Sequence, residues 1–401
     1  MRDGGAAGMR YKKSMPPKPL VPVVDSPPRA ALQLRSLVKR SGELELSLAS
    51  VDVPAPDSHE VVVRIEAAPI HPTDIWLLLA AADLRAAKLS GPRERPVLTA
   101  PIPEAAFKAL ASRVDAPQAV GSEGAGRVVA AGASEAAQAL MGKLVALSGG
   151  GMYAQYRCLP IEQCLRLPDD VTAAEGAAAF INPLTALGMV ETMRHEGHTA
   201  LVHTAAASNV GQMLLRVCRD DEIPLVNVVR KAAQAAQLRE LGAQHVCDSS
   251  APTFLADLTE AIAATGATIA FDATGGGKLG GQILGCMEAV QSRSAKSYSR
   301  YGSSTHKQLY IYGGLDPSPT ELTRNFGMAW GMGGWMVLAA LQKLGPATVA
   351  AMQKRIVDGL KTTFATKYAR QISLAEALSP DAIAVYARRA TGQKFLINPN
   401  Q

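Results

Sequence analysis

Hydrophobic and polar positions follow two different periods along this chain. Between Ala31 and Ile65 the period is short: Glu43 to Leu48 alternates polar and apolar residues, Pro54-Ala-Pro-Asp57 interrupts, and Glu60-Val-Val-Val-Arg-Ile65 resumes with β-branched residues. That pattern predicts a small β-rich domain. After Ala67-Ala-Pro-Ile-His-Pro-Thr-Asp74 comes a helix-like Ile75 to Leu79, then an insertion from Ala81 to Val120 broken by Pro92, Pro96, Pro101, Pro103 and Pro117, then a strand at Lys143 to Leu147. Further on, continuous apolar runs replace the alternation: Thr199-Ala-Leu-Val-His203, Leu225-Val-Asn-Val-Val229, His245-Val-Cys-Asp248, Thr268-Ile-Ala-Phe-Asp272 and Leu309-Tyr-Ile-Tyr312. Runs of this kind, separated by helical stretches, belong to strands of a parallel sheet buried on both faces. Beyond Gly331-Met-Gly-Gly334, helices are expected from Trp335 to Leu344 and from Ala347 to Leu360, and Lys394-Phe-Leu-Ile397 is expected to form a last strand.

The first of the apolar runs leads into Thr204-Ala-Ala-Ala-Ser-Asn-Val-Gly211 and then an amphipathic run with Val210, Met213, Leu214 and Val217 on one face. Strand, small-residue turn and helix together form a place where a diphosphate can sit, because the helix start presents unpaired N–H groups and the positive end of its dipole. Small side chains at Ser208, Asn209, Val210 and Gly211 suit a close approach of phosphate to backbone, although Ala205, Ala207 and Ser208 occupy positions where a strict fingerprint has glycine. The same residues would also serve an ordinary strand-to-helix turn. The next strand ends at Arg230-Lys231. An acidic residue there would bind a ribose 2′-hydroxyl, whereas Arg230 and Lys231 suit a 2′-phosphate, so the sequence points to NADPH rather than NADH.

Composition narrows the class. A chain of 401 residues, 48% hydrophobic and 19% charged, can bury large cores in two or three domains. A net charge of +6 with no dense Lys/Arg run interleaved with aromatics gives no nucleic-acid surface. The cysteines (Cys158, Cys164, Cys218, Cys247, Cys286) are odd in number, scattered and without CxxC spacing, which argues for reduced thiols in a cytoplasmic protein. The longest apolar stretch, near Trp330 to Leu341, is too short and Gly-rich for a membrane span. Residues 1–28 are rich in Gly, Pro and basic side chains and are expected to be a mobile extension, with Met9 or Met15 as alternative starts.

Several short motifs occur in a fixed order: His71-Pro-Thr-Asp74, Gly121-Ser-Glu-Gly-Ala-Gly126, the turn Ser148-Gly-Gly-Gly-Met-Tyr-Ala-Gln-Tyr156, Leu167-Pro-Asp-Asp-Val171, Asn182-Pro-Leu-Thr-Ala186, and the loop ending at Gly211. From about Glu43 to Asn398 the set resembles the medium-chain dehydrogenase/reductase superfamily, and within it the zinc-independent quinone oxidoreductase and enoyl reductase branch. The resemblance implies an α/β chain with a GroES-like β-rich catalytic domain (residues 29–182 and 346–401) and a Rossmann doubly wound parallel-sheet NADP-binding domain (183–345). The active site would lie between them, and the chain would form a homodimer. It also implies pocket roles for His71, Trp76 and Asp74, places Thr185 near the nicotinamide, and puts Thr274, Gly313 and Gly314 at strand ends that meet the cofactor.

Catalytic zinc needs three convergent ligands and an open position. Zinc-dependent relatives have Cys where this chain has His71 and His where it has Ser122, and the segment Asn182 to Ala186 brings no cysteine. His71 and Glu123 are left over, too few for a zinc site. Without a Lewis acid, the expected chemistry is hydride transfer to an activated double bond or quinone, with a small-molecule enone, quinone or enoyl thioester as substrate. A zinc-independent alcohol or carbonyl dehydrogenase and a non-catalytic NADPH-binding sensor are the alternatives. His71 is a candidate proton donor or simply a loop-capping histidine. Tyr153 is a second candidate acid or a packed aromatic, and Trp76 a residue that shapes the pocket. The polar stretch Gln291 to Gly302, with Arg293, Lys296 and Arg300, is either a solvated loop or a clamp for an anionic substrate tail.

Overall fold

The computed structural model describes residues 27–293, 295 and 297–401; the expected extension (apart from its last two residues) and Lys296 lie outside them. Two β-sheets build the first domain. A five-stranded sheet has the order Lys88–Ser90, Val97–Pro101, Glu43–Asp52, Ala30–Val38, Gln118–Ala119. A seven-stranded sheet joins Glu60–Pro69, Glu123–Ala131, Leu144–Ser148, Tyr156–Pro160 and Cys164–Arg166 to two strands from the carboxyl end of the chain, Arg370–Ile372 and Phe395–Ile397. Leu396 and Ile397 pair antiparallel with Pro69 and Ala68, so the last strand closes a sheet begun some 300 residues earlier. Alternation explains the burial: Leu44, Leu46 and Leu48 face inward while Glu45 and Ser47 do not.

The second domain is a six-stranded parallel sheet in the order His245–Asp248, Leu225–Val229, Leu201–His203, Ile269–Asp272, Lys307–Ile311, Trp330–Gly334. By chain order this is 3-2-1-4-5-6, a doubly wound sheet with its switch point between the first and fourth strands. Every residue from Leu225 to Val229 is buried, as expected for a strand covered on both faces. The sixth strand, Trp330–Gly334, was not expected; the helix predicted from Trp335 begins at Val337. Three of its five residues are glycine, which carry no strand signal, and only pairing with Lys307–Ile311 defines it.

The helix Pro346–Asp358, assigned from the sequence to the catalytic domain, puts Met352 and Ile356 into one core cluster with Met213 and Leu214 of the dinucleotide helix, and Leu360 and Phe364 follow them. The run Ala173–His195, rather than 330–341, is long and apolar enough to cross a membrane on composition alone, yet 78% of that window is buried within the protein. Its apolarity is that of a core helix lying between the two domains.

The loop between the fourth and fifth strands is also located by topology. The helix Leu279–Arg293 starts at the carboxyl end of Ile269–Asp272 and runs back, so residues 297–306 lie at the amino end of the sheet. There Lys307 Nζ meets Glu288 Oε2 at 2.7 Å, with side-chain exposures of 0% and 7%. Arg293 pairs with Glu260 at 2.8 Å and Arg300 lies over the Tyr301 ring at 4.6 Å. A clamp for a substrate tail would have to lie at the opposite end of the strands, so the loop is corrected to a surface connection.

Candidate active site

The dinucleotide loop forms as expected. The helix Asn209–Asp220 is capped by Ser208, whose Oγ accepts from the Gly211 N–H at 3.2 Å, leaving the N–H groups of Asn209 and Val210 at the helix start. A side chain at Gly211 would put its Cβ 2.1 Å from the Ala206 carbonyl oxygen, so helix and loop approach as closely as only glycine allows. Ala205 takes a left-handed φ of 49°, a conformation glycine adopts without strain. Behind the loop, Thr204 Oγ1 donates to Asp272 Oδ1 at 2.6 Å and accepts from the Ala273 N–H at 2.8 Å, and Asp272 Oδ1 also accepts from the Thr274 N–H. The carboxylate thus ties the ends of the first and fourth strands, fixing Thr274 beside the loop. Gly313 and Gly314 follow the fifth strand at the same edge, and Tyr312 just before them holds His203 Nε2 at 2.7 Å. Burial pushes the His203 imidazole down to about 3, so it stays neutral.

Arg230 and Lys231 emerge exposed at the carboxyl end of the second strand, and among the described residues no ion pair holds either side chain. Lys231 is the N-cap of the helix Ala232–Glu240. This is the sheet edge where a dinucleotide's ribose lies in a doubly wound fold.

The catalytic candidates are placed differently from the expectation. The helix Pro72–Leu79 starts at His71, whose backbone N–H donates to Asp74 Oδ2 at 3.0 Å. Tyr153 is 0% exposed; its hydroxyl lies 2.9 Å from Asp74 Oδ2 and 3.2 Å from the Pro69 carbonyl, while the Ser122 hydroxyl donates to the other Asp74 oxygen. Burial, then the Asp74 charge, raises the Tyr153 pKa well above its ordinary value. Tyr153 is corrected to an interior residue of the barrel rather than an acid facing the cleft, and Asp74, 3% exposed, is a bracket within the protein rather than a surface for cofactor. His71, 2% exposed, points Nε2 at Glu123 Oε1, 2.6 Å away. Glu123 Oε2 accepts from the N–H groups of Phe180 and Ile181 at 2.8 and 3.0 Å, at the start of the helix Ile181–His195. Glu123 therefore docks the amino end of that helix onto the barrel. Thr185, on the same helix, is 7% exposed and its hydroxyl donates to the Ile181 carbonyl. Trp76 is the exception: it is 52% exposed, with the Arg389 guanidinium 5.2 Å above its ring.

Sequence reading missed one constellation. Lys394 Nζ, Tyr368 Oη and Thr366 Oγ1 are buried without a hydrogen-bond partner, and Lys394 Nζ lies 5.9 Å from the Tyr368 ring. Burial pushes the Lys394 ammonium down to about 8, against the opposing pull of Glu123 and Asp74. The neighbouring segment runs along the dinucleotide helix, where Arg216 donates to the Thr363 carbonyl at 3.0 Å. The signal in the sequence was a single lysine opening an otherwise apolar last strand.

Among the described residues, no three His, Cys, Asp or Glu side chains converge to hold a metal ion. Burial disfavours the thiolate at the free cysteines, pushing Cys158 and Cys247 up to about 11 and Cys164 and Cys218 to about 12, with Cys286 also raised. A groove of about 510 Å³ lies on the outside of the barrel, where the 81–120 insertion (Leu89, Pro92, Arg93) meets Ser373 and Glu376. That part of the insertion lines the outer groove.

Residues 57–169 match the alcohol dehydrogenase GroES-like domain. The doubly wound 3-2-1-4-5-6 sheet stands beside that domain. The chain has the medium-chain dehydrogenase/reductase fold. The relatives it matches in part include enoyl reductases and quinone oxidoreductases. It is 28% identical over 230 residues to the mitochondrial enoyl-[acyl-carrier-protein] reductase of Xenopus tropicalis (55% of this chain, 57% of that protein) and 31% identical over 137 residues to a quinone oxidoreductase of Pseudomonas aeruginosa (33% and 42%). A synaptic vesicle membrane protein VAT-1 homolog of Rattus norvegicus is 30% identical over 162 residues, 40% of each chain. The matches thus span about 40–57% of these relatives' length. Among solved structures, a Mesorhizobium loti protein assigned as an NADPH:quinone reductase superposes with a TM-score of 0.67 at 25% identity over 94% of this chain and 100% of its own. Etr1p, solved with NADP and crotonyl-CoA, shares the fold with a TM-score of 0.65 at 17% identity, over 92% and 99%.

Proposed function

We propose that this protein is an NADPH-dependent reductase of quinones or activated carbon–carbon double bonds, working by hydride transfer without zinc. The observation that carries the cofactor assignment is the pair of exposed, unpaired cations, Arg230 and Lys231, at the end of the second parallel strand. A bound nicotinamide in its reduced form supplies the hydride. The chain's own part is to hold the diphosphate at the Asn209 and Val210 N–H groups and to pair the 2′-phosphate with Arg230 and Lys231. An enone or enoyl thioester accepts the hydride at its β-carbon and a proton at its α-carbon, giving the saturated carbonyl; a quinone takes the same pair to become a hydroquinone. With His71 facing Glu123 and Tyr153 sealed in the barrel, the proton comes from solvent water in the cleft. Support for zinc-free chemistry comes from the same contacts: the imidazole of His71 faces a carboxylate, and the hydroxyl of Ser122 donates to Asp74.

The exposed side chains Met328, Met332, Met336 and Leu338, beside the free edge at Trp330–Gly334, support a homodimer joined along that edge. Losing charged hydrogen bonds to a 2′-phosphate costs roughly 1.5 to 3 kcal/mol, about ten- to a hundred-fold in affinity. NADPH is therefore expected to bind more tightly than NADH by that factor, and Arg230→Ala/Lys231→Ala to abolish most of the difference. Equal affinity of the unaltered protein for both cofactors would overturn the assignment. The rate of NADPH oxidation with a quinone, a simple enone and an enoyl-CoA, measured in chelator, tests the reaction; no turnover of any of them would reject it.

A further inference from the structure

Arg389 is a cation whose surroundings call for an anion that the chain does not provide. It follows the helix Pro380–Tyr386 and adopts a left-handed φ of 51°, a conformation that an arginine adopts only at a cost. Its guanidinium lies 5.2 Å above the Trp76 ring, its Nε is buried without an acceptor, and among the described residues no carboxylate pairs with it. Burial lowers its pKa, as it does for a cation without a counter-charge. Two residues further on, Thr391 Oγ1 accepts from Gln234 Nε2 at 3.3 Å, and Gln234 Oε1 accepts from the Arg230 backbone N–H. One short segment thus touches both walls of the interdomain cleft: the helix that carries Trp76 and the strand end proposed to take the 2′-phosphate.

We propose that Arg389 and Trp76 form the mouth of the substrate pocket and select a planar acceptor that carries a carboxylate. This rests on the reductase reading above and names its substrate class. The half-exposed indole offers a flat apolar face to the conjugated system, and the guanidinium held over that indole offers N–H donors to the acid group. The indole face already attracts the guanidinium, so the cation stays in place when no substrate is bound. Neutral quinones and enones gain the stacking alone.

The test uses a matched pair, trans-4-phenyl-3-buten-2-one and its para-carboxylate, with the full-length protein. The ratio of kcat/KM for the carboxylate over the neutral ketone should fall roughly ten- to a hundred-fold in Arg389→Ala. Arg389→Lys should restore part of that ratio, since it keeps the charge but not the fork. An unchanged ratio overturns the proposal. So does a weaker Kd for NADP in Arg389→Ala with the substrate ratio unaltered, because the missing anion would then be the cofactor's. Equilibrium dialysis of both ketones against NADP-saturated protein separates this question from turnover. If neither ketone is reduced but the carboxylate binds more tightly and loses that advantage in Arg389→Ala, the mouth stands and the reductase reading fails. If the two bind alike, the mouth itself is wrong.

Discussion

The buried ion pair at the amino end of the parallel sheet gives a prediction whose size follows from the structure. Lys307 Nζ is wholly enclosed, 2.7 Å from Glu288 Oε2, with Ser303 Oγ at 3.0 Å and the Thr305 carbonyl at 2.9 Å as its other acceptors. Glu288 also accepts from the Ser303 N–H and Oγ, each at 2.7 Å. Burial alone would push the Glu288 carboxyl upward; the hydrogen bonds from Lys307 and Ser303 outweigh it and hold it down at about 2, below its ordinary 4.5. That shift corresponds to roughly 3 kcal/mol favouring the folded protein at neutral pH. Because the folded pKa is the lower one, the contribution is complete above the unfolded value and fades as pH falls from about 4.5 toward 2. Glu288→Gln keeps an acceptor for Ser303 but leaves the buried Lys307 charge without a counter-charge, a change that costs about 3 to 5 kcal/mol. Urea unfolding of both proteins at pH 7 should therefore show a loss of about 3 kcal/mol or more, shrinking by about 2 kcal/mol at pH 3. A loss under about 1 kcal/mol at pH 7, or one that does not change with pH, would refute the argument that this pair is a buried, coupled unit.

Two further outcomes test the site. Gly211→Ala must displace the helix from its loop, since the new methyl would sit 2.1 Å from a backbone oxygen; calorimetric NADPH binding should weaken by at least about ten-fold, and unchanged affinity would mean that the loop does not hold the cofactor. Tyr153→Phe removes a hydroxyl from Asp74 at a cost of about 1 to 3 kcal/mol in thermal stability while leaving kcat within a few-fold; a fall of about a hundred-fold, the size of a lost general acid, would return Tyr153 to the catalytic role.

Local pattern carried most of the secondary structure and named the candidate cofactor residues. The strand Leu225–Val229 was legible because four of its five residues are apolar and mostly β-branched, and Arg230 and Lys231 because their place follows from the strand's end. The loop from Thr204 to Gly211 was legible because only small residues fit where a helix packs against its own strand. Three things were not local. The strand Trp330–Gly334 exists through its neighbour, since glycines have no side chains to announce it. Tyr153 and His71 stand in motifs whose spacing says nothing about which way a side chain points; Asp74 and Glu123, brought from other elements, turn them inward. Arg389 and Lys394 lie more than 300 positions from Trp76 and Asp74, and only the closing of the barrel by the last strand brings that end of the chain to the cleft. Sequence determined most of the strands and helices and where a dinucleotide is to be expected, because those follow from periodicity and steric size. Tertiary structure decided which polar groups are buried against one another and which are left facing the cleft, because desolvation and pairing depend on distances that the chain order does not contain.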